Sequence, residues 1–480
     1  MNKLCDKNMS FEDCELVILR SAVDKAEHIV RKKAINSPDI TKILTIVENF
    51  IKKKSLICYG GTAINNILPK QQQFYDRDIE IPDYDFFSPN ALNDAKELTD
   101  LYFKAGITEV EAKSGVHHGT YKVFVNFIPI ADITLLHVDL YKSIKRESIS
   151  VGGILYAPPN FLRMSMYLEL SRPAGDISRW EKILKRLTLL NKYYPLETEN
   201  CNKIDFQREM YDDKKEAKIY ENVKNTLVNQ SVVFFGGYAM SMYAKYMPKE
   251  IHHQVKKIPD FDVISEDAEL TAEIVVERLK DIDVNNARFV VNDAVGDVIP
   301  KNYQIMIGKD TIAFIYEPIA CHSYNQITVR GQKIKIATID TMLSYYLAFV
   351  YAEKKYYNVD RILCMANYLF ELQQKNRLSQ KGLLKRFNIL CYGHQKTIEE
   401  IRSDKAQKFR ELKQDRSDKE FQERFLSYRP ADIKIARVKT NNYGKLKHKY
   451  VKTLRGQNMK HGKNGKNKKT RRQKKRGFFF

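Results

Sequence analysis

The sequence predicts an α/β protein built from two tandem units, with helical additions and a polybasic end. Three observations carry this expectation. A pattern occurs twice: residues 59–88 and 235–265 each hold an aromatic residue before a glycine pair, an alanine two residues after it, and later Ile-Pro-Asp-aromatic-Asp with a serine three residues on. The glycine pairs (Gly60-Gly61 and Gly236-Gly237) lie 176 residues apart and the Asp-x-Asp pairs (Asp83, Asp85 and Asp260, Asp262) lie 177 apart, as expected of a duplicated domain. Short apolar strand-like runs also alternate with helix-like stretches in both halves, which argues for α/β units. Finally, 480 residues suffice for two or three domains, each with its own core. We divide the chain into 1–200, 201–335, a mainly helical 336–440 and a disordered tail at 441–480.

In chain order, residues 9–53 read as two helices, with Val17, Leu19, Val23 and Ile29 on one apolar stripe and Ile43, Leu44, Val47 and Ile51 on the next. Ser55–Tyr59 is a short strand running into the Gly-Gly turn, and Thr62–Leu68 a helix ended near Pro69. A loop to Glu80 precedes the strand Asp83–Phe87, then a helix over Ala91–Ala105. Tyr121–Leu136 is β-rich and interrupted at Pro129; residues 161–193 are helical, broken around Pro173-Ala-Gly. The charged stretch 198–224 reads as a linker or helix between units. From the strand Val232–Phe235 the second unit repeats turn, helix, loop, Asp-x-Asp strand and helix. Beyond Lys335 the chain reads as mostly helical, with an apolar stretch at Met342–Ala352 and a charged helix near 397–428.

Charge is unevenly placed. The net charge is +22, but residues 441–480 hold 15 Lys or Arg and no acid, leaving 66 basic against 59 acidic residues in the body. Such an arm is a solubilising or localisation segment, or a nucleic-acid tether; the tether is the expectation. No uninterrupted apolar run of about eighteen residues occurs, so no membrane partner is expected. The seven cysteines show no C-x-x-C spacing, so a reducing compartment, without a zinc site or disulfide framework, is expected.

The repeated unit has a definite chemistry. On a strand, Asp83 and Asp85 project to one face. Two adjacent carboxylates repel unless a cation joins them, and hard oxygen ligands favour Mg²⁺. Asp132, flanked by Ile130, Ala131 and Ile133, is the candidate third carboxylate, because it is costly among apolar neighbours unless paired or metal-bound. Such a trio suits a two-metal phosphoryl displacement. A strand, a glycine pair and a helix start leave backbone N–H groups facing a phosphate, with Thr62 able to add a hydroxyl. The lysine of a P-loop and the third glycine of a Rossmann turn are missing.

The order Gly-Gly, Asp-x-Asp, distant Asp resembles the polymerase β-like nucleotidyltransferases. YGGTAI, IPDYDFFSP, VHHGTYKVFVNFIPIADIT and LELSRPAGDISRWEKILKRLTLLNKYYP resemble the poly(A) polymerase catalytic subunits of poxviruses and other large cytoplasmic DNA viruses, especially the African swine fever virus and mimivirus-like branch. The likeness is most specific over 55–195 and weaker to about 350. It implies two nucleotidyltransferase-like domains, the first active and the second degenerate. It also implies template-independent transfer of AMP from ATP to the 3′ end of viral mRNA, with release of pyrophosphate and use of Mg²⁺ or Mn²⁺. By this resemblance Asp83 and Asp85 would hold both metals, and Asp132 the metal beside the RNA 3′-hydroxyl. Gly60, Gly61 and Thr62 would hold the triphosphate, although relatives outside the viral branch have Gly-Ser and a shorter gap. Partners implied are single-stranded RNA, ATP and either a second copy or, as in poxvirus relatives, a separate processivity subunit. The implied location is the host cytoplasm, in viral factories, with packaging in the virion a further expectation. The alternatives are another RNA terminal nucleotidyltransferase (uridylyl, CCA or 2′–5′ adding) and a non-catalytic RNA-binding processivity protein.

Downstream, Arg163, Ser165, Lys182 and Arg186 are candidate phosphate contacts, against the alternative of a solvated basic face; Lys182 and Arg186 share a helix face. Trp180 is expected in a core or inter-helix role, and His117-His118 in a turn or RNA contact. In the second copy Asp260 and Asp262 follow Gly236-Gly237, but a third carboxylate is missing: the offset lands near Asp310, and Glu317 is the other candidate. A non-catalytic second copy forming one wall of an RNA groove is expected.

Overall fold

In a computed structural model of the chain, residues 5, 9–35, 37–76, 80–208, 215–255 and 260–432 are described. The basic segment 441–480 lies outside the described residues. Residues 1–428 form one compact unit, which contains both halves of the repeat.

The first half opens with helices α1 (Phe11–Ile35) and α2 (Pro38–Lys54). Ser37 caps α2 by accepting from the Ile40 N–H, with Pro38 in the first turn. There follow β1 (Ile57–Cys58), α3 (Gly60–Ile67), β2 (Tyr84–Ser88), α4 (Ala91–Lys104), β3 (Val110–Ser114), β4 (Thr120–Val125), β5 (Ile128–Leu135), α5 (Val138–Arg146), β6 (Ile149–Val151), β7 (Ile154–Tyr156), α6 (Pro159–Leu170) and α7 (Trp180–Tyr193). The break in the β-rich run falls at Asn126-Phe127, not at Pro129. Both residues have positive φ (49° and 65°), which closes the β4–β5 hairpin, while Pro129 pairs with Phe124 inside β5.

The second half runs α8 (Glu216–Asn229), β8 (Val233–Phe234), α9 (Gly237–Tyr243), β9 (Phe261–Ile264), α10 (Ala268–Lys280), β10 (Ala287–Asn292), β11 (Asn302–Ile307), β12 (Asp310–Tyr316), β13 (His322–Val329), β14 (Gln332–Ala337), α11 (Ile339–Tyr351), α12 (Val359–Lys375), β15 (Cys391–Tyr392), α13 (Ile398–Leu412), α14 (Lys419–Phe425) and β16 (Ser427–Tyr428). The expected single charged helix near 397–428 is thus two, because Asp418 caps a new helix by accepting from the Phe421 N–H.

Strand order shows the duplication directly. One sheet is β16-β3-β4-β5-β2-β1-β7-β6 and the other β10-β11-β12-β9-β8-β14-β13-β15. In each, the Asp-x-Asp strand lies parallel to the strand that follows the hairpin (β2 with β5, β9 with β12) and antiparallel to the strand before the glycine pair. The repeated serine is structural: the Ser88 hydroxyl donates to Asp94 at 2.5 Å, and that of Ser265 shares a hydrogen bond with Thr271 at 2.9 Å, each tying its strand to the next helix. The helices α6 and α11 pack on each other between the halves, with Phe161 edge-on to Tyr351 at 5.5 Å.

The expected absence of disulfides is overturned. Cys5–Cys14, Cys201–Cys364 and Cys321–Cys391 are paired, with Cα atoms 5.3, 5.5 and 5.2 Å apart, and Cys58 is buried and free. Two of the pairs join residues 163 and 70 positions apart, so only the fold brings them together. No described helix is long and apolar enough to cross a membrane.

Candidate active site

The first sheet assembles the carboxylates as its register dictates. Asp85 in β2 stands opposite Asp132 in the neighbouring parallel strand β5. Asp83 lies one residue before β2, and Tyr84 between the two turns inward, buried and donating to Glu48 of α2 at 2.6 Å. Burial and the charges of Asp83 and Asp132 push the Asp85 carboxyl up to about 7; burial and Asp132 also raise Asp83. The three like charges therefore repel in a poorly solvated place and call for a cation. A side-chain cation already answers at one point: Lys122, opposite Asp132 across the β4–β5 ladder, is ion-paired with one of its oxygens. The other, Oδ1, is buried and lacks a hydrogen-bond partner among the described residues. Among those residues no three His, Cys, Asp or Glu side chains already converge as a metal cage. An orphaned carboxylate oxygen beside two strained carboxyls nonetheless fits a hard divalent ion.

The glycine turn faces this trio. Gly60 has φ +70°, and a Cβ there would come within 2.8 Å of an Asp85 oxygen. A Cβ on Gly61 would meet the Tyr75 hydroxyl at 2.5 Å and Arg186 at 2.8 Å. The turn is thus packed against its own site, and the left-handed backbone at Gly60 favours glycine. Helix α3 starts here with no side-chain cap, leaving its first N–H groups to a ligand. Tyr59 before it stacks on Phe87 at 3.9 Å and hydrogen-bonds Thr134 at 2.9 Å. Thr62 also lines the cleft, and its buried hydroxyl donates to the Asp83 carbonyl at 2.8 Å, pinning the turn to β2.

Cations converge from α7. Lys182 and Arg186 line the same cleft as the carboxylates, and so does Arg179, the residue just before α7. Arg186 donates to the Tyr75 hydroxyl at 2.5 Å and lies over the rings of Phe74 and Tyr75, whose backbone N–H groups are held by Asn65. The charge of Arg186, then burial, then the charge of Arg179 lower the Lys182 ammonium below its usual range. Cations gathered this closely suit a polyanion. Ser165 also lines the cleft, though its hydroxyl donates to Leu162 O. Arg163 does not: it is fully buried, donates to Asn191 at 2.8 Å and braces α6 against α7. Trp180 takes the expected inter-helix role, its indole donating to Glu169 O at 2.9 Å. His117 and His118 sit in the β3–β4 turn at the cleft edge. The cleft holds about 1130 Å³, and Gly296, Asp297 and Val298 of the second half complete its rim.

Sequence reading missed three residues. Arg179 was legible, since 179, 182 and 186 fall on one helix face. Lys122 needed the β4–β5 register, and Arg208 became visible only in the second copy. There Arg208 ion-pairs with both Asp260 (2.6 Å) and Asp262 (3.0 Å) and lies over the Phe314 ring at 4.9 Å. Phe314 stands opposite Asp262 where the first copy has Asp132. Neither Asp310 nor Glu317 takes that place: Asp310 begins β12 opposite Ile307, and Glu317 follows the strand and pairs with Lys301. Gly236 and Gly237 are packed so that a Cβ would strike Asp262 and Asp260.

Fold and site define a two-copy α/β protein with one open carboxylate-and-cation cleft and one closed by an arginine. Residues 45–176 match the family model described as "Poly(A) polymerase catalytic subunit". Relatives described as "Putative poly(A) polymerase catalytic subunit" include one from African swine fever virus (isolate Pig/Kenya/KEN-50/1950), 32% identical over 180 residues, covering 36% of this chain and 38% of the relative. Another, from Acanthamoeba polyphaga mimivirus, is 27% identical over 243 residues, covering 46% of this chain and 40% of the relative. The aligned parts therefore span well under half of those relatives. The crystal structure of the Megavirus polyadenylate synthase superposes with a TM-score of 0.73 over 90% of this chain and 88% of that one; at 20% identity this shows the shared fold. The similarity to the poly(A) polymerase catalytic subunit family thus falls in the first half of the chain.

Proposed function

We propose that this chain transfers AMP from ATP to the 3′ end of single-stranded RNA, releasing pyrophosphate. The observation that carries this reading is one cleft in which Asp83, Asp85 and Asp132 face the Gly60-Gly61 turn and the cations of α7. Two divalent cations, Mg²⁺ or Mn²⁺, would be held by Asp83 and Asp85, one of them also by Asp132, and would neutralise charge on the α-phosphate. The α3 N–H groups at Gly60 and Gly61, with Lys182, Arg186 and Arg179, bind and orient the triphosphate so that its α-phosphorus faces the RNA 3′-oxygen. That oxygen forms the new bond as the bond to pyrophosphate breaks, and the Asp132 carboxylate promotes loss of its proton. The relatives' descriptions favour ATP, which the cleft's charges do not select by themselves.

The second copy serves as a non-catalytic companion, since a guanidinium occupies the carboxylate pair and a phenyl ring replaces the third acid. Its loop at 296–298 forms a wall of the cleft. The same reading supports action on viral mRNA in cytoplasmic factories, with virion packaging, and either a homodimer or a separate processivity subunit.

The test is an extension assay with labelled RNA and each of the four nucleoside triphosphates. Wild type is expected to incorporate AMP only with a divalent cation, Asp83→Ala to lose about a thousandfold or more, and Asp260→Ala to keep Mg²⁺-dependent incorporation. Extension by UTP or CTP in place of ATP, or undiminished activity of Asp83→Ala, would overturn the assignment.

A further inference from the structure

The register that builds the catalytic trio continues away from it. Asp85 faces Asp132, Asp132 faces Lys122, and Lys122 faces Lys113, one rung crossing β2, β5, β4 and β3 on a single sheet face. Carboxylates occupy one end of the rung and ammonium groups the other, over about 14 Å of strand spacings. At the lysine end α13 lies against the sheet edge: Lys405 donates to Ser114 Oγ at 3.2 Å and Gly115 O at 2.6 Å. Between helix and sheet lies a groove of about 690 Å³ whose charged lining is Lys113, Lys122, Arg402, Lys405 and Arg410, with no carboxylate. Phe124, Phe409 and Phe425 interleave with these cations, and Phe409 is 38% exposed. Arg402 and Arg410 are exposed and form no ion pair among the described residues. His117 and His118 line both the catalytic cleft and an adjoining hollow, which also holds Asp404 and Glu423 and shares Lys405 and Phe425 with the groove, so the hollow lies between groove and cleft.

We propose that this groove is the track for single-stranded RNA upstream of the growing 3′ end. The inference rests on the adenylyl-transfer reading for which end enters the cleft. The exposed guanidiniums of Arg402 and Arg410 hold successive phosphates, and the exposed Phe409 ring offers a surface on which any base stacks. The alternation of β4 puts Lys122 and Phe124 on one face beside them. A duplex would not present its bases to these rings, so the occupant is single-stranded.

The test uses the full chain and fluorescence anisotropy with a 5′-labelled 20-nucleotide oligo(A). In the double variant Arg402→Glu/Arg410→Glu affinity is expected to fall about tenfold or more, and the log–log salt slope to shrink by roughly 1.4, at about 0.7 per single-strand phosphate contact. Phe409→Ala is expected to lose about tenfold, and Lys280→Glu, on the exposed face of α10, to change neither quantity. In the wild type, photocrosslinks from 4-thiouridine placed upstream of the 3′ end should map to peptides containing Phe124 or Phe409. These decide the matter even where a variant fails to fold. Unchanged affinity and slope in a folded double variant, or crosslinks confined to other surfaces, would overturn the track. RNA bound here without any AMP incorporation would leave the track standing and remove the catalytic reading; incorporation with undiminished binding by the double variant would do the reverse.

Discussion

At the scale of single residues, the glycine turn and one buried histidine make distinct demands. Gly60 combines a left-handed backbone with a Cβ position 2.8 Å from the Asp85 carboxylate. Gly60→Ala is therefore expected to cost about 1–2 kcal/mol of stability from its backbone alone. Turnover should fall at least tenfold as Asp85 shifts, while denaturant melts still show a folded protein. His322 is fully buried: its Nε2 shares a hydrogen bond with Tyr345 at 3.1 Å, and burial followed by the charge of Arg172 pushes it down to about 3. An unfolded histidine titrates near 6.5. The unfolded chain thus takes the proton first; this contribution to stability is complete above pH about 6.5 and is lost as pH falls toward 3. At pH 5 the wild type is expected to have lost about 2 kcal/mol more, relative to pH 7, than His322→Gln, as read from urea melts of both. Equal losses would remove the buried neutral imidazole from the account.

At the scale of elements, much of the first copy was legible because it obeys local rules. Glycine before a helix, alternate residues on a strand and an acid among isoleucines each declare themselves in sequence. The hydrogen bond from the Thr62 hydroxyl to Asp83, the burial of Arg163 and the disulfides did not, because each depends on partners brought close by the fold. The same holds for the second copy. Its carboxylate pair looked intact in sequence, yet Phe314 takes the third position by register, and Arg208 enters from the segment before α8, well outside the repeat. This guanidinium supplies the positive charge that the carboxylate pair requires. Arg208→Ala would leave two buried carboxylates with no direct partner and is expected to cost about 3–5 kcal/mol. Part of that loss should be restored by millimolar Mg²⁺, through preferential binding to the folded state. Thermal melts with and without Mg²⁺ check this. A variant as stable as wild type, or one indifferent to the ion, would show that Asp260 and Asp262 do not depend on a local cation.

At the scale of the whole molecule, residues 1–428, which hold both copies of the repeat, form one compact unit. The reason lies in α6 and α11. Phe161, Leu162, Met166, Tyr167 and Leu170 of α6 are buried, and α11 is buried along almost its whole length, including Tyr346, Phe349 and Tyr351. The Tyr351 hydroxyl donates to Glu147 at 3.2 Å, and Tyr167 reaches Gln373 at 3.2 Å, so polar bonds as well as apolar area join first half to second. A fragment ending at residue 200 would expose the α6 face and lose the wall at 296–298 of the carboxylate cleft. We expect residues 1–200 alone to aggregate or bind hydrophobic dyes, despite holding Asp83, Asp85 and Asp132, and the full chain to unfold in one cooperative transition. Within the full chain, Tyr351→Ala should cost about 3–5 kcal/mol, as for other large buried aromatic residues. Because the residue lies between the halves, that cost should lower a single transition without splitting it. Two resolved transitions in calorimetry of wild type, or a soluble 1–200 fragment that extends RNA, would show that the duplicated halves fold and act independently.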